Sequence, residues 1–127
     1  MNSIMTCFWN GILKSLNLKG FRFNSNEELI GFLKKQNKKT KNVMWNNIFL
    51  REQEMAENYE AVENYDVKGI YNGHLCSCCD YILLLVCEIF CVDIDHWYLN
   101  RLMSYKNKKN KEKNKLTFHS NHHHFWN

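Results

Sequence analysis

Apolar residues recur at helical spacing near the start of the chain, where Phe8, Ile12, Leu13 and Leu16 fall on one stripe. Thr6 stands just before them and is a helix-capping residue type, which places Cys7 in the first turn. Asn17 to Phe23 reads as a loop around Gly20. Ser25 followed three residues later by Glu28 is a capping-box signature, opening a second helix through Leu29, Ile30, Phe32 and Leu33. The lysine run Lys34 to Lys41 ends that helix. A third helical segment is read from Val43 to about Tyr65, with Phe49, Leu50, Met55, Tyr59 and Val62 inward. Its outer side carries Glu52, Glu54, Glu57, Glu60 and Glu63. Val67 to His74, with Gly69 and Gly73, reads as a loop, and Cys76 or Ser77 opens an apolar helix carrying Ile82 to Phe90.

The period then changes. Val92, Ile94 and His96 alternate with Asp93, Asp95 and Trp97, the signature of a strand. Arg101 to Tyr105 and Leu116 to His119 read as two more strands joined by the basic loop Lys106 to Lys115, and His122 to Asn127 adds a last short one. Helices first and strands last predict an α+β fold, with helices packed on a small, mostly antiparallel sheet. There is no internal repeat. The 127 residues fit a single domain over 1–127, long enough to bury a core without staples. Hydrophobic content of 45% and charged content of 24% exclude general disorder, and the absence of proline excludes a proline-rich linker.

Charge narrows the partners. A net charge of +4 is a mild excess, unevenly placed. Lys34 to Lys41 and Lys106 to Lys115 are basic, while Glu52 to Asp66 is acidic throughout, so the simplest account is two solvated loops and one acidic helix face. Base-stacking modules interleave aromatic residues with their lysines, whereas both runs here alternate lysine with asparagine, so no nucleic-acid partner is expected. The longest apolar stretch, Tyr81 to Val92, is interrupted by Glu88 and falls short of the roughly 20 residues a membrane crossing needs. No membrane association is expected. The first residues lack the basic and apolar regions of an export signal, and five of the six cysteines crowd into Cys76 to Cys91. Bridges inside so short a segment would staple little, so reduced thiols in an intracellular, cytoplasmic setting are expected.

Three groups of residues could carry chemistry. A thiolate at the start of a helix, as at Cys7, is favoured by the unpaired amides there, which can also stabilise an oxyanion. The plainer reading of Cys7 is a small buried hydrophobe beside Phe8 and Trp9. His124, in the run His122, His123, His124, can serve as a base to a thiol brought near by the fold, or can be a surface histidine near a frayed end. His74, Cys76 and Cys79 include a C-x-x-C spacing suited to zinc, but no second ligand pair follows at similar spacing. Cys87 and Cys91 share an apolar helix face, which reads as core.

The two ends of the chain resemble a known family. Thr6-Cys7-Phe8-Trp9-Asn10-Gly11-Ile12-Leu13 resembles the nucleophile helix of the ovarian-tumour (OTU) cysteine proteases, and Leu116-Thr117-Phe118-His119-Ser120-Asn121 with His124-Phe125 resembles that family's final strands. Gly73-His74, the helix Asp80 to Phe90 and the strand Cys91 to Asp95 look like its late helix feeding the central sheet. The small OTU-like proteins of large DNA viruses are the form it looks like. The resemblance implies an OTU/papain-like fold, with Cys7 as nucleophile and His124 as general base. His124 is preferred to its neighbours because it precedes an aromatic residue. It also implies cleavage of isopeptide bonds to ubiquitin or a ubiquitin-like protein, with no cofactor; separately, a monomer is expected. The family's acidic residue three positions before the cysteine is Ile4 here, its Gly-Asn pair is Met5-Thr6, and its polar orienter two positions after the histidine is Trp126. Asn127, Asn121, Asp93 and Asp95 are the candidates for that orienting role.

Three functions follow from these residues. The first is an OTU-like cysteine hydrolase acting through Cys7 and His124. The second is a catalytically inactive binding module on the same fold. The third is a small zinc-binding protein built on His74, Cys76 and Cys79, with a terminal histidine (His119, His122 or His123) completing the site.

Overall fold

Alternation of buried and exposed side chains makes the last third of the chain a sheet. The computed structural model describes residues 4–65, 81–121 and 124–127. Its elements in chain order are α1 (Ile4–Leu18), α2 (Asn26–Lys35), β1 (Val43–Trp45), β2 (Ile48–Phe49), α3 (Glu52–Glu63), α4 (Tyr81–Phe90), β3 (Asp93–Tyr98), β4 (Arg101–Asn107), β5 (Lys115–Ser120) and β6 (Phe125–Trp126). The strands form one sheet in the order β2-β1-β4-β3-β5-β6. Neighbours are antiparallel except β3 and β5, which run parallel. The fold is thus α+β, with four helices and a mixed, mostly antiparallel six-stranded sheet among the described residues.

The pleat gives the sheet two different faces. Ile94 and His96 on β3, Met103, Tyr105 and Asn107 on β4, Leu116 and Phe118 on β5, and Phe125 on β6 are buried on the inner face. Against them lie Phe8, Trp9, Ile12 and Leu16 of α1 and the apolar run Ile82 to Cys87 of α4, all in one core cluster. Trp9 is fully buried, and its indole N–H donates to the Tyr65 hydroxyl at 3.0 Å. Glu88 is a buried acid within the apolar helix, and its carboxylate accepts from the Asn42 main-chain N–H at 2.9 Å and side-chain amide at 2.7 Å. It thereby ties the approach to β1 onto α4.

Two expectations about local structure need correction. The segment from Val43 to Tyr65 is not one helix. Asn46 and Asn47 take φ values of 50° and 69°, the left-handed pair of a two-residue hairpin turn, and β1 and β2 flank them. Asparagine tolerates that conformation, and Asn46 is further held by its side-chain oxygen accepting from the Ser104 N–H at 2.9 Å. Helix α3 therefore begins only at Glu52, and Phe49 is exposed on the hairpin instead of lying inward. Nor does Thr6 cap the first helix: α1 includes it, beginning at Ile4. The capping of α2 is as expected, with the Ser25 hydroxyl accepting from Glu28 N–H at 3.1 Å.

The alternation of lysine and asparagine after β4 has a structural cause. Asn107 accepts from Lys109 N–H at 2.8 Å and donates its amide to the Cys87 carbonyl at 3.0 Å. The Asn110 amide donates to the Asn114 carbonyl at 2.8 Å. The asparagines fold the loop, and the lysines between them are left to solvent.

Two helical glycines make opposite predictions. A Cβ on Gly11 in α1 would stand 3.1 Å from two ring carbons of Phe125, whereas Gly31 in α2 faces open space. Gly31→Ala should raise the unfolding free energy by about 0.8–1 kcal/mol, the helix-propensity gain. Gly11→Ala should show no such gain, because Phe125 is hemmed in by other rings. Urea denaturation of the two variants checks this, and equal stabilisation would contradict the tight α1–β6 contact.

Candidate active site

Cys7 lies in the first turn of α1, half-buried against the core, and is followed by the buried Phe8. At the other end of the chain, the turn into β6 is closed by Asn121 and His124. Asn121 N–H donates to the His124 carbonyl at 2.9 Å, and His124 N–H donates to the Asn121 side-chain oxygen at 2.8 Å. This fixes the backbone of His124 while its side chain stays exposed. The next residue, Phe125, turns inward.

Phe125 is the contact between the two ends. Its ring centroid is 4.8 Å from Phe8, 5.0 Å from Phe118 and 5.4 Å from His96. Gly11, one turn further along α1, lets that ring approach the helix backbone. Beyond it, the Asn127 amide donates to the Ser15 hydroxyl at 3.1 Å. Residue 125 therefore lies against residues 8 and 11, and residue 127 against residue 15. β6 runs in the same sense as α1, so its beginning, marked by His124, lies toward the helix start that carries Cys7. Each of these two residues is the chain neighbour of a ring in the Phe8–Phe125 contact.

The four proposed orienters have separate positions. Asn121 is joined to His124 through the main chain, and Asn127 is held by Ser15. Asp95 pairs with Lys115 at 2.9 Å on the outer face of the sheet, turned away from α1. Asp93 accepts from the Asn107 N–H at 3.0 Å at the far end of β3. Of the four, only Asn121 is bonded to His124. Trp126 points outward and stacks on His119, with ring centroids 5.8 Å apart and planes inclined by 18°.

One pair near the site was not singled out from the sequence. His96 is buried beneath Phe125, and its Nε2 lies 2.7 Å from the Ser120 hydroxyl, joining β3 to β5. The strand alternation around Ile94 and His96 already placed this histidine inward; that it meets Ser120 depends on the β3–β5 register.

The remaining cysteines divide by environment. Burial, reinforced by the nearby charges of Asp93 and Glu88, pushes the Cys87 thiol well above the usual thiol range. It is a core residue, as its spacing suggested. His74, Cys76 and Cys79, the zinc candidates, lie outside the described residues. Among the described residues no group of three or more His, Cys, Asp or Glu side chains could hold a metal ion, and no helix is long and apolar enough to cross a membrane. Comparison with known proteins found no matching family model, no matching curated protein and no matching solved structure.

The thiols should therefore separate under alkylation. Iodoacetamide applied to native protein, with peptide mapping by mass spectrometry, should modify Cys7 and leave Cys87 untouched until denaturant is added. Since the folded state holds the Cys87 proton more tightly than the unfolded state does, its contribution to stability is complete below about pH 8.5 and shrinks as pH rises above that value. Urea midpoints at pH 7.5 and 10 should show a fall that is smaller in Cys87→Ala.

Proposed function

We propose that the protein is an OTU-like thiol hydrolase that cleaves isopeptide bonds to ubiquitin or a ubiquitin-like modifier, with Cys7 as nucleophile and His124 as base. The observation supporting this reading is the docking of β6 along α1, where Phe8, the chain neighbour of Cys7, meets Phe125, the chain neighbour of His124. It matches the order of the resemblance, cysteine at the start of the first helix and histidine just before the last strand.

The chemistry runs in two halves. His124 accepts the Cys7 proton as sulfur attacks the isopeptide carbonyl carbon, and the carbonyl oxygen takes up negative charge. Amides at the start of α1 are suited to stabilising that oxyanion. The C–N bond then breaks, and the imidazolium gives its proton to the departing lysine amine, leaving a thioester on Cys7. Water attacks the thioester carbon, loses its proton to His124, and the C–S bond breaks to restore the thiol. Asn121 acts as a positioning residue, because it fixes the backbone from which the imidazole projects.

A second reading is a binding module with a silenced site. It is favoured by Trp126 at the family's orienter position and by Asn127 being held on Ser15. A ubiquitin-based electrophilic probe separates the two. Wild-type protein should form a covalent adduct that Cys7→Ala abolishes, and His124→Ala should slow it by about 10²-fold or more. Folded wild-type protein that binds ubiquitin without forming an adduct would establish the binding module instead.

A further inference from the structure

The outer face of the sheet is open among the described residues and carries a row of rings that the linear sequence does not show. Strand register places Leu102 of β4 opposite Trp97 of β3, Trp97 opposite His119 of β5, and His119 opposite Trp126 of β6. The row crosses four adjacent strands, about 14 Å at ordinary strand spacing. Leu102, Trp97 and Trp126 are 39%, 36% and 46% exposed, and His119 lies nearly parallel to Trp126. Large apolar side chains in a continuous exposed row are unusual on a surface that has no partner.

The same face is cationic at its other end. Lys106, Met44 and Phe49 share a row through the β4–β1–β2 register, and the Lys108 ammonium lies 5.7 Å from the Phe49 ring centroid. Lys106 to Lys115 contains six lysines and one glutamate. The acids of the face are already engaged, Asp95 by Lys115 and Asp93 by the Asn107 N–H. The lysine run holds no aromatic residue of its own. Strand pairing sets Lys106 on the same surface as rings from β2, β3, β5 and β6, and Lys108 reaches that surface at Phe49.

We propose that this outer face binds single-stranded nucleic acid, with bases stacking on Trp97, His119 and Trp126 and phosphates attracted to Lys106 and Lys108. Flat rings take base faces without regard to sequence, and the lysine excess complements a polyanion. An acidic peptide would satisfy the charge and leave the ring row without purpose. A second copy of this chain docking through the same face would oppose its lysines to one another or leave them unused.

The test is a titration of the 127-residue protein into fluorescein-labelled 12-mers of oligouridylate and oligothymidylate, read by anisotropy and by tryptophan quenching from about 50 to 200 mM salt. Saturable binding with quenching is expected for at least one of the two, and the pair tells RNA from DNA. Trp97→Ala and Trp126→Ala should each weaken it about tenfold or more. Joint Lys106→Gln and Lys108→Gln should flatten the salt dependence. Both tryptophans are exposed, so circular dichroism should show the variants folded, and either one that folds suffices. Cys7→Ala should bind as wild type does, which separates this face from the hydrolase reading. Absence of saturable binding at 50 mM salt would overturn the proposal. So would affinity indifferent to both tryptophan substitutions, equal competition by polyglutamate, or a concentration-dependent dimer that buries the face.

Discussion

The seating of Phe125 between the first helix and the sheet is the contact on which the candidate site depends. Three rings surround it, from Phe8, Phe118 and His96, and a fourth side is kept open by the missing side chain of Gly11. Burying one such ring contributes about 1.5–3 kcal/mol, with about 0.5–1.5 kcal/mol more for each well-oriented aromatic pair. That is a large share of the marginal stability of a small domain. It is also the means by which the two ends of the chain meet. Without it, a strand of two residues is held by its pairing to β5, the Asn121–His124 turn, the Trp126–His119 stack and the Asn127–Ser15 hydrogen bond, none of which reaches the core under α1 as Phe125 does.

The strongly periodic parts of this fold were legible in the sequence. The stripe Phe8, Ile12, Leu16, the Ser25–Glu28 cap, the apolar run of α4 and the alternation through Ile94 and His96 each state their structure locally. The Val43–Phe49 hairpin did not, because its apolar residues fit a helical stripe as readily as two short strands. What decides it is Asn46-Asn47, a pair able to turn left-handed, together with a pairing to β4 that lies far along the chain. The candidate site was legible only as two residues in an order. The docking that relates them lies in Gly11 and Phe125, which the sequence offers only as motif neighbours, and the placement of Asp95 on the outer face follows from strand pleat.

Register also divides the sheet's labour. Alternate residues on β3, β5 and β6 build the core under α1, and the residues between them assemble Trp97, His119 and Trp126 on the open face. A slip of one residue in any of these strands would exchange the two sets. The exposed ring row and the buried Phe125 contact are therefore specified together. This is why Phe125 and Trp126, adjacent in the chain, serve opposite faces.

The proposed hydrolase requires the thiol of Cys7 and the imidazole of His124 to stand within reach of each other. Bridging by 1,3-dibromoacetone in native wild-type protein measures this directly, since one bromide is displaced by the thiol and the second by whichever nucleophile lies about one acetone length away. A Cys7–His124 bridged peptide is expected by mass spectrometry, absent in His124→Ala. Alkylation of Cys7 without a bridge, or a bridge to another residue such as His96, would contradict it.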